Sequence, residues 1–132
     1  MGTTDRFEDL ESWKVARELC QVIYTLTRKK KFNEDFSLRN QILSSSGSGM
    51  DNISEGFHRG GNKEFIQFLY VSNGSLGEMQ SQLYRARDRN YITEDEFQTG
   101  YTLARDVIRL NFGMIRYLKN SSLRGGKYRT EE

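Results

Sequence analysis

Apolar residues recur at helical spacing along almost the whole chain, in four runs. From about Asp9 to Lys31, Trp13, Val15, Ala16, Leu19, Cys20, Val22, Ile23, Tyr24 and Leu26 fill one side. At about 100° per residue they span an arc of roughly 200°. Lys14, Arg17, Glu18, Gln21 and Arg28 occupy the remainder. A helix packed on one side needs little more than about 100° of apolar surface, so this one has surface to spare. The second run, about Ser37 to Phe57, passes through Ser44-Ser45-Ser46-Gly47-Ser48-Gly49, where no side chain exceeds a hydroxymethyl group. By composition that stretch reads as a linker. A loop there would strand Met50–Gly56 as a helical fragment, so the pattern predicts a weak helix that meets its neighbours with its backbone.

The third run extends from Asn62 to Asn90. Phe65, Phe68, Leu69, Ser72, Leu76, Met79, Leu83 and Ala86 line one face, and Ile66, Tyr70, Gly77 and Tyr84 form a second stripe, about 100° away. Thr93 and Glu96 make a capping box, which starts a fourth helix running to about Asn120. Its inner face is Phe97, Ala104, Val107, Ile108, Met114, Ile115 and Leu118, with Leu103, Leu110 and Tyr117 beside it at seven-residue spacing. Between the second and third runs lies Asn52–Phe65, where Gly56 and Gly60 suit the left-handed closure of a helix. Asn62 is placed to cap the next helix, and Glu64 suits its positive end.

Four helices with short connections predict an all-α, antiparallel up-down-up-down four-helix bundle over residues 1–120. Residues 121–132 read as a flexible basic tail. The length of 132 residues fits one domain, and the absence of proline agrees with long helices. Gly47, Gly49, Gly74, Gly77, Gly100 and Gly113 fall inside helices. Each is unfavourable by about 1 kcal/mol relative to alanine. Six of them approach the lower end of typical domain stability, about 5 kcal/mol, unless close packing offsets them. Together with the surplus apolar stripes, this predicts self-association, with Ile66, Tyr70, Tyr84, Leu103, Leu110 and Tyr117 as interface candidates.

Charge adds one feature. The net charge is only +2, but residues 97–130 carry seven basic side chains against Asp106 alone, a net +6. Arg105, Arg109 and Arg116 fall within about 40° of one another on the fourth helix, opposite the core. Arg85 and Arg89 end the helix before, and Lys119 follows the stripe. Such a row can meet phosphates, and Tyr101 and Phe112 beside it can stack on unpaired bases. Those six cations are the nucleic-acid-binding candidates. A solvated helix face is the plainer reading of the same charges.

Catalytic chemistry finds no foothold. One histidine and one cysteine cannot supply a zinc site alone, and one histidine rules out a di-iron carboxylate bundle. No phosphate-binding glycine motif occurs, and the Ser44–Ser48 cluster lacks a base and its orienter. His58 reads as a surface residue and Cys20 as a buried, inert thiol. Neither an enzyme, a cofactor nor a small-molecule substrate is expected. Glu55 and Glu78 are better placed to bond across the second and third helices, with Asn52, Ser75 or Gln82. The single cysteine suits a reducing compartment. No apolar stretch reaches the roughly 18–20 residues that span a bilayer, and no signal peptide opens the chain. A soluble, cytoplasmic protein without membrane contact is expected.

Asn52, Ile53, Glu55, Gly56, Arg59, Gly60, Lys63, Glu64, Phe65, Phe68 and Leu69 resemble the core motif of a bacterial four-helix-bundle family. That family was first noticed as proteins encoded in intervening sequences of 23S ribosomal RNA genes. The resemblance continues at Ser75, Leu76, Glu78 and Gln82, and at Phe7–Leu10 with Trp13, Ala16 and Arg17. It departs in the second helix, where the family's alanine pair and Ser-Ile-Pro are replaced by Ser45-Ser46 and Ser48-Gly49-Met50. The resemblance implies homo-oligomers, commonly pentameric rings. It also extends to the accessory variability determinant of diversity-generating retroelements, a basic ring that works with a reverse transcriptase and RNA. The partners it implies are therefore further copies of the chain, RNA, and a reverse transcriptase or other nucleic-acid enzyme. A scaffold ring that binds a protein without nucleic acid is the alternative.

Overall fold

The structure, a computed structural model, describes residues 5–123. A 3-10 turn at Phe7–Asp9 precedes α1 (Glu11–Thr27), α2 (Lys30–Glu34), α3 (Phe36–Phe57), α4 (Asn62–Asp88) and α5 (Glu94–Leu123). No strand occurs among the described residues. The four long helices pack in a closed circuit: α1 on α3, α3 on α4, α4 on α5, and α5 back on α1. Leu19, Ile23, Ile42, Ile53, Phe65, Leu69, Met79, Leu83, Val107 and Leu118 form the centre of one apolar core. The helix expected to end at Asn120 continues through Leu123, and Ser121 is buried. The rest of the expected tail, 124–132, lies outside the described residues.

The first predicted helix is two. It ends at Thr27, whose hydroxyl donates to the Tyr24 carbonyl at 2.8 Å, and extended backbone at Lys29 separates it from α2. Phe32 explains the break. An unbroken helix would carry it roughly 150° away from the Leu19–Ile23–Leu26 line. The chain turns instead, and Phe32 is fully buried with its ring centroid 5.5 Å from that of Tyr91.

The Ser/Gly run is continuous helix, as the pattern predicts, because α3 and α4 meet there backbone to side chain. A Cβ on Gly49 would lie 2.5 Å from Leu76 Cδ2 and 2.8 Å from its Cγ. Ser72 Oγ, from α4, donates to the Gly49 carbonyl at 2.6 Å. Gly56 does not take the left-handed conformation expected of it. It stays helical, and its missing Cβ admits Phe68, whose Cβ would otherwise be 2.7 Å away. The left-handed residue is Gly60, with φ of 94°. Asn62 is likewise not a cap: Gly61 holds that position, and Asn62 Nδ2 donates to the Leu118 carbonyl at 3.3 Å, tying the start of α4 to the end of α5.

The helical glycines thus differ in their surroundings. Gly49 and Gly56 are demanded by neighbours within the chain and Gly100 is tight against Leu83, whereas a Cβ on Gly113 would meet only Arg116 Nη2 at 3.9 Å and one on Gly47, Gly74 or Gly77 would meet nothing within 4 Å. Gly47→Ala is expected to raise the thermal midpoint, by the few degrees that about 1 kcal/mol represents. Gly49→Ala is expected to lower it, since overpacking against Leu76 costs about 1–3 kcal/mol. Equal shifts in calorimetry would refute the close approach of α3 and α4 at Gly49.

Candidate nucleic-acid interface

Helix α5 is held at its start by the predicted capping box. Glu96 N donates to Thr93 Oγ1 at 3.1 Å, and Thr93 N donates to Glu96 Oε1 at 2.8 Å. Lys29 Nζ joins the same carboxylate at 2.6 Å. Along its inner face runs Asn111, which the sequence reading left out although it falls at the i+4 step between Val107 and Ile115. It is fully buried and donates to Ser72 Oγ at 3.1 Å and Asn73 Oδ1 at 2.9 Å. With Ser72 bonded to Gly49, these contacts link α5, α4 and α3 and fix which face of α5 turns outward.

The outward face carries Arg105, Arg109 and Arg116, all exposed. None makes a hydrogen bond, ion pair or ring contact with another described residue. Every other described arginine does, through Glu8, Trp13, Tyr24, Phe36, Glu55, Gln41, Glu94 or Asp35. Arg85 and Arg89 are accordingly set apart from the α5 row. Arg85 Nη2 donates to Gln41 Oε1 at 2.7 Å, and Arg89 pairs with Asp35 at 2.9 Å, both toward the start of α3. Lys119 stands with its Nζ 5.9 Å from the Tyr70 ring centroid.

Asp35 is the hub at that end. Its carboxylate accepts from Tyr91 Oη at 2.8 Å, Leu38 N at 3.2 Å and Arg89 Nη1 at 2.9 Å. The Tyr91 hydroxyl foremost, then the Leu38 amide, holds the Asp35 carboxyl below the usual range. Lys29 and the Thr93 amide do the same to Glu96. A depressed folded-state value stabilises the fold above the unfolded values, about 3.9 and 4.3, and that stabilisation is lost as pH falls through the folded values. Asp35→Asn is therefore expected to lower the thermal midpoint at pH 7, by an amount that shrinks below about pH 4. An equal penalty in melts at both pH values would refute this role.

The interface candidates divide between the two flanks of α5. Leu110 and Tyr117 line a groove of about 780 Å³ with Val15 of α1 and Met114, and Glu11, Asp106, Arg109, Gly113 and Arg116 also border it. Tyr70 and Tyr84 stand on the opposite flank, beside Phe112 and Tyr101 respectively. Leu103 and Ile66 are partly buried against the core. Arg87, which the sequence reading passed over, lies 4.9 Å from the Tyr84 ring centroid and 4.3 Å from that of Phe97, and also pairs with Glu94. Its spacing of three from Tyr84 was the available signal.

The motif residues are mostly architectural. Asn52 Nδ2 donates to the Ser48 carbonyl at 2.8 Å and to Ser48 Oγ at 2.9 Å, and Ser48 Oγ is 2.8 Å from Ser75 Oγ. Ser45 Oγ donates to Gln82 Oε1 at 2.6 Å. Ser48–Ser75 and Ser45–Gln82 make the bonds between α3 and α4 that were expected of Glu55 and Glu78, while Asn52 steadies Ser48 within α3; both glutamates are exposed. Glu55 instead pairs with Arg59 at 3.4 Å. Glu78 borders an open polar groove with Ser44, Ser48 and Ser75. Lys63 and Glu64 are exposed, and Phe65 is buried against Phe57. His58 is exposed, its Nδ1 3.0 Å from the Ser54 carbonyl. Cys20 is half-buried rather than buried; its Sγ donates to the Ser46 carbonyl at 3.2 Å, and desolvation pushes its thiol up. Among the described residues no helix is long and apolar enough to cross a membrane.

Comparison with known proteins agrees with this fold. The family model described as 23S rRNA-intervening sequence protein matches residues 8–113. A crystal structure of a protein of unknown function from the S23 ribosomal protein family of Bacteroides thetaiotaomicron superposes with a TM-score of 0.73. The two are 19% identical, and the match covers 80% of this chain and 98% of that one. At that identity the likeness concerns the fold. No curated protein matches.

Proposed function

We propose that this chain, which belongs to the 23S rRNA-intervening sequence protein family, is a non-enzymatic, self-associating helical module that binds RNA through the outer face of α5. Short connections between the long helices support an up-down-up-down course, which leaves α5 bordered by α1 and α4 with its outer face free. The observation that carries the proposal is the pairing pattern of the arginines. A solvated helix face would be expected to pair its cations much as the rest of the molecule does. Arg105, Arg109 and Arg116 instead stand together, exposed and without partners among the described residues.

The apolar groove between α1 and α5 supports self-association, and the family resemblance makes a pentameric ring the proposed assembly. A ring would repeat the arginine row and multiply weak contacts through avidity. The groove also supports the second reading, a ring that scaffolds a protein partner without nucleic acid. Titrating labelled RNA with the purified protein between 50 and 200 mM salt separates the two. Three neutralised phosphates give a log–log salt slope of roughly −2 to −3 per engaged subunit. Absence of binding at low salt would leave the scaffold reading standing.

A further inference from the structure

We propose that the seam between α4 and α5 is a track for single-stranded RNA, on which exposed aromatic rings stack with bases while the α5 arginines hold phosphates. This rests on the RNA reading above, adds the class of RNA, and assigns Tyr70 and Tyr84 to RNA rather than to the subunit contact expected of their stripe. The seam carries rings partly open to solvent, with Arg87 4.9 Å from the Tyr84 ring centroid and Lys119 Nζ 5.9 Å from that of Tyr70. Tyr70, Tyr84 and Phe112 are 45%, 43% and 41% exposed. Tyr70 and Phe112 meet edge to face with centroids 6.2 Å apart, and Tyr84 and Tyr101 do so at 5.9 Å. Each pair joins one ring from α4 to one from α5, so the packing of the two helices holds the rings in place.

The cations interleave with these rings. Arg105 lies four residues after Tyr101 and seven before Phe112, while Arg109 and Arg116 lie three before and four after Phe112. At helical spacing these residues and Lys119 share an arc of about 80° and a length of about 27 Å. Tyr101 and Phe112 are about 16 Å apart along the axis, a length that about five stacked bases would span at 3.4 Å each. A duplex turns its base faces inward, so exposed rings gain little from it. A single strand offers both bases and phosphates at close intervals. A protein surface would have to be apolar and acidic in alternation to satisfy the same row.

The test uses the full chain with two RNA probes of equal length, an unstructured uridine-rich strand and a hairpin duplex, read by fluorescence anisotropy at low salt. The wild type is expected to prefer the single strand by about tenfold or more. Tyr70→Ala with Phe112→Ala is expected to weaken single-strand binding by about tenfold or more, with duplex binding, helical circular dichroism and oligomer mass unchanged. Phe112→Tyr keeps a ring and is expected to retain affinity, whereas Phe112→Leu keeps only bulk and is expected to lose it. Equal affinity for both probes, or single-strand binding that survives the double substitution or Phe112→Leu, would overturn the track. Phosphate binding by the arginines would still stand in those cases. A changed oligomer mass in the double variant would assign the rings to subunit contact and overturn the track. If the wild type bound neither probe, the RNA reading itself would fall.

Discussion

A Leu110→Lys variant is expected to run in light scattering as a 15.4 kDa monomer at micromolar concentrations where the wild type is a closed oligomer. Leu110 sits on the surface at 36% exposure, so a lysine there leaves the monomer's own core untouched. Within the proposed interface its consequences are different. The groove's border carries two cations, Arg109 and Arg116, and two carboxylates, Glu11 and Asp106, so the cost of a lysine there is the burial of its ammonium between subunits. An uncompensated charge buried between subunits is unfavourable by several kcal/mol, and about 1.4 kcal/mol is tenfold in affinity. Association should therefore weaken by roughly a thousandfold. A wild type that is itself monomeric would refute the assembly, and an oligomer unaffected by Leu110→Lys would move the interface away from this groove.

Gly74 and Gly77 lie between Tyr70 and Tyr84 on the outer side of α4, and nothing in the chain approaches the place of a Cβ there. In the sequence all six helical glycines look alike, because loss of a Cβ is visible there and its reason is not. Three-dimensional packing separates Gly49, closed by Leu76 from a helix beyond the turn, from Gly47 two residues earlier. Gly56 shows the same ambiguity at a helix end. Close approach of Phe68 and the demand for positive φ both select glycine, and only Gly60 answers the second.

Long amphipathic periods made the four main helices legible, and continuity on either side of Ser44–Gly49 was enough to place that weak stretch in a helix. The break after Thr27 was not legible, since no glycine or proline marks it; it follows from where Phe32 can be buried. Asn111 was missed because an amide on an apolar stripe counts against the stripe until its partners, Ser72 and Asn73, are known. For the site, helical arithmetic placed Arg105, Arg109 and Arg116 together. The same arithmetic could not show that Arg85 and Arg89 are engaged, because their partners Gln41 and Asp35 lie 44 and 54 residues away in the chain.

Neutralising Arg105, Arg109 and Arg116 together to glutamine is expected to remove most RNA binding at 150 mM salt and to flatten the salt dependence. Each lost phosphate contact should reduce the log–log slope by about 0.7 on a single strand and 0.9 on a duplex, so the triple variant loses roughly two to three per engaged subunit. Between 50 and 200 mM salt that slope corresponds to about 15- to 60-fold in the wild type's affinity, and the variant should lose that sensitivity. Glutamine is preferable to glutamate because Arg109 and Arg116 border the α1/α5 groove, where reversed charges could disturb assembly directly. Arg105 does not line that groove, so Arg105→Gln alone gives the cleanest single reading, a slope reduced by about one with unchanged oligomer mass. Unchanged affinity and slope in a folded, fully assembled triple variant would place any RNA contact elsewhere on the molecule. Loss of binding accompanied by loss of the oligomer would leave the single Arg105 substitution to decide whether the arginines touch phosphate or a neighbouring subunit.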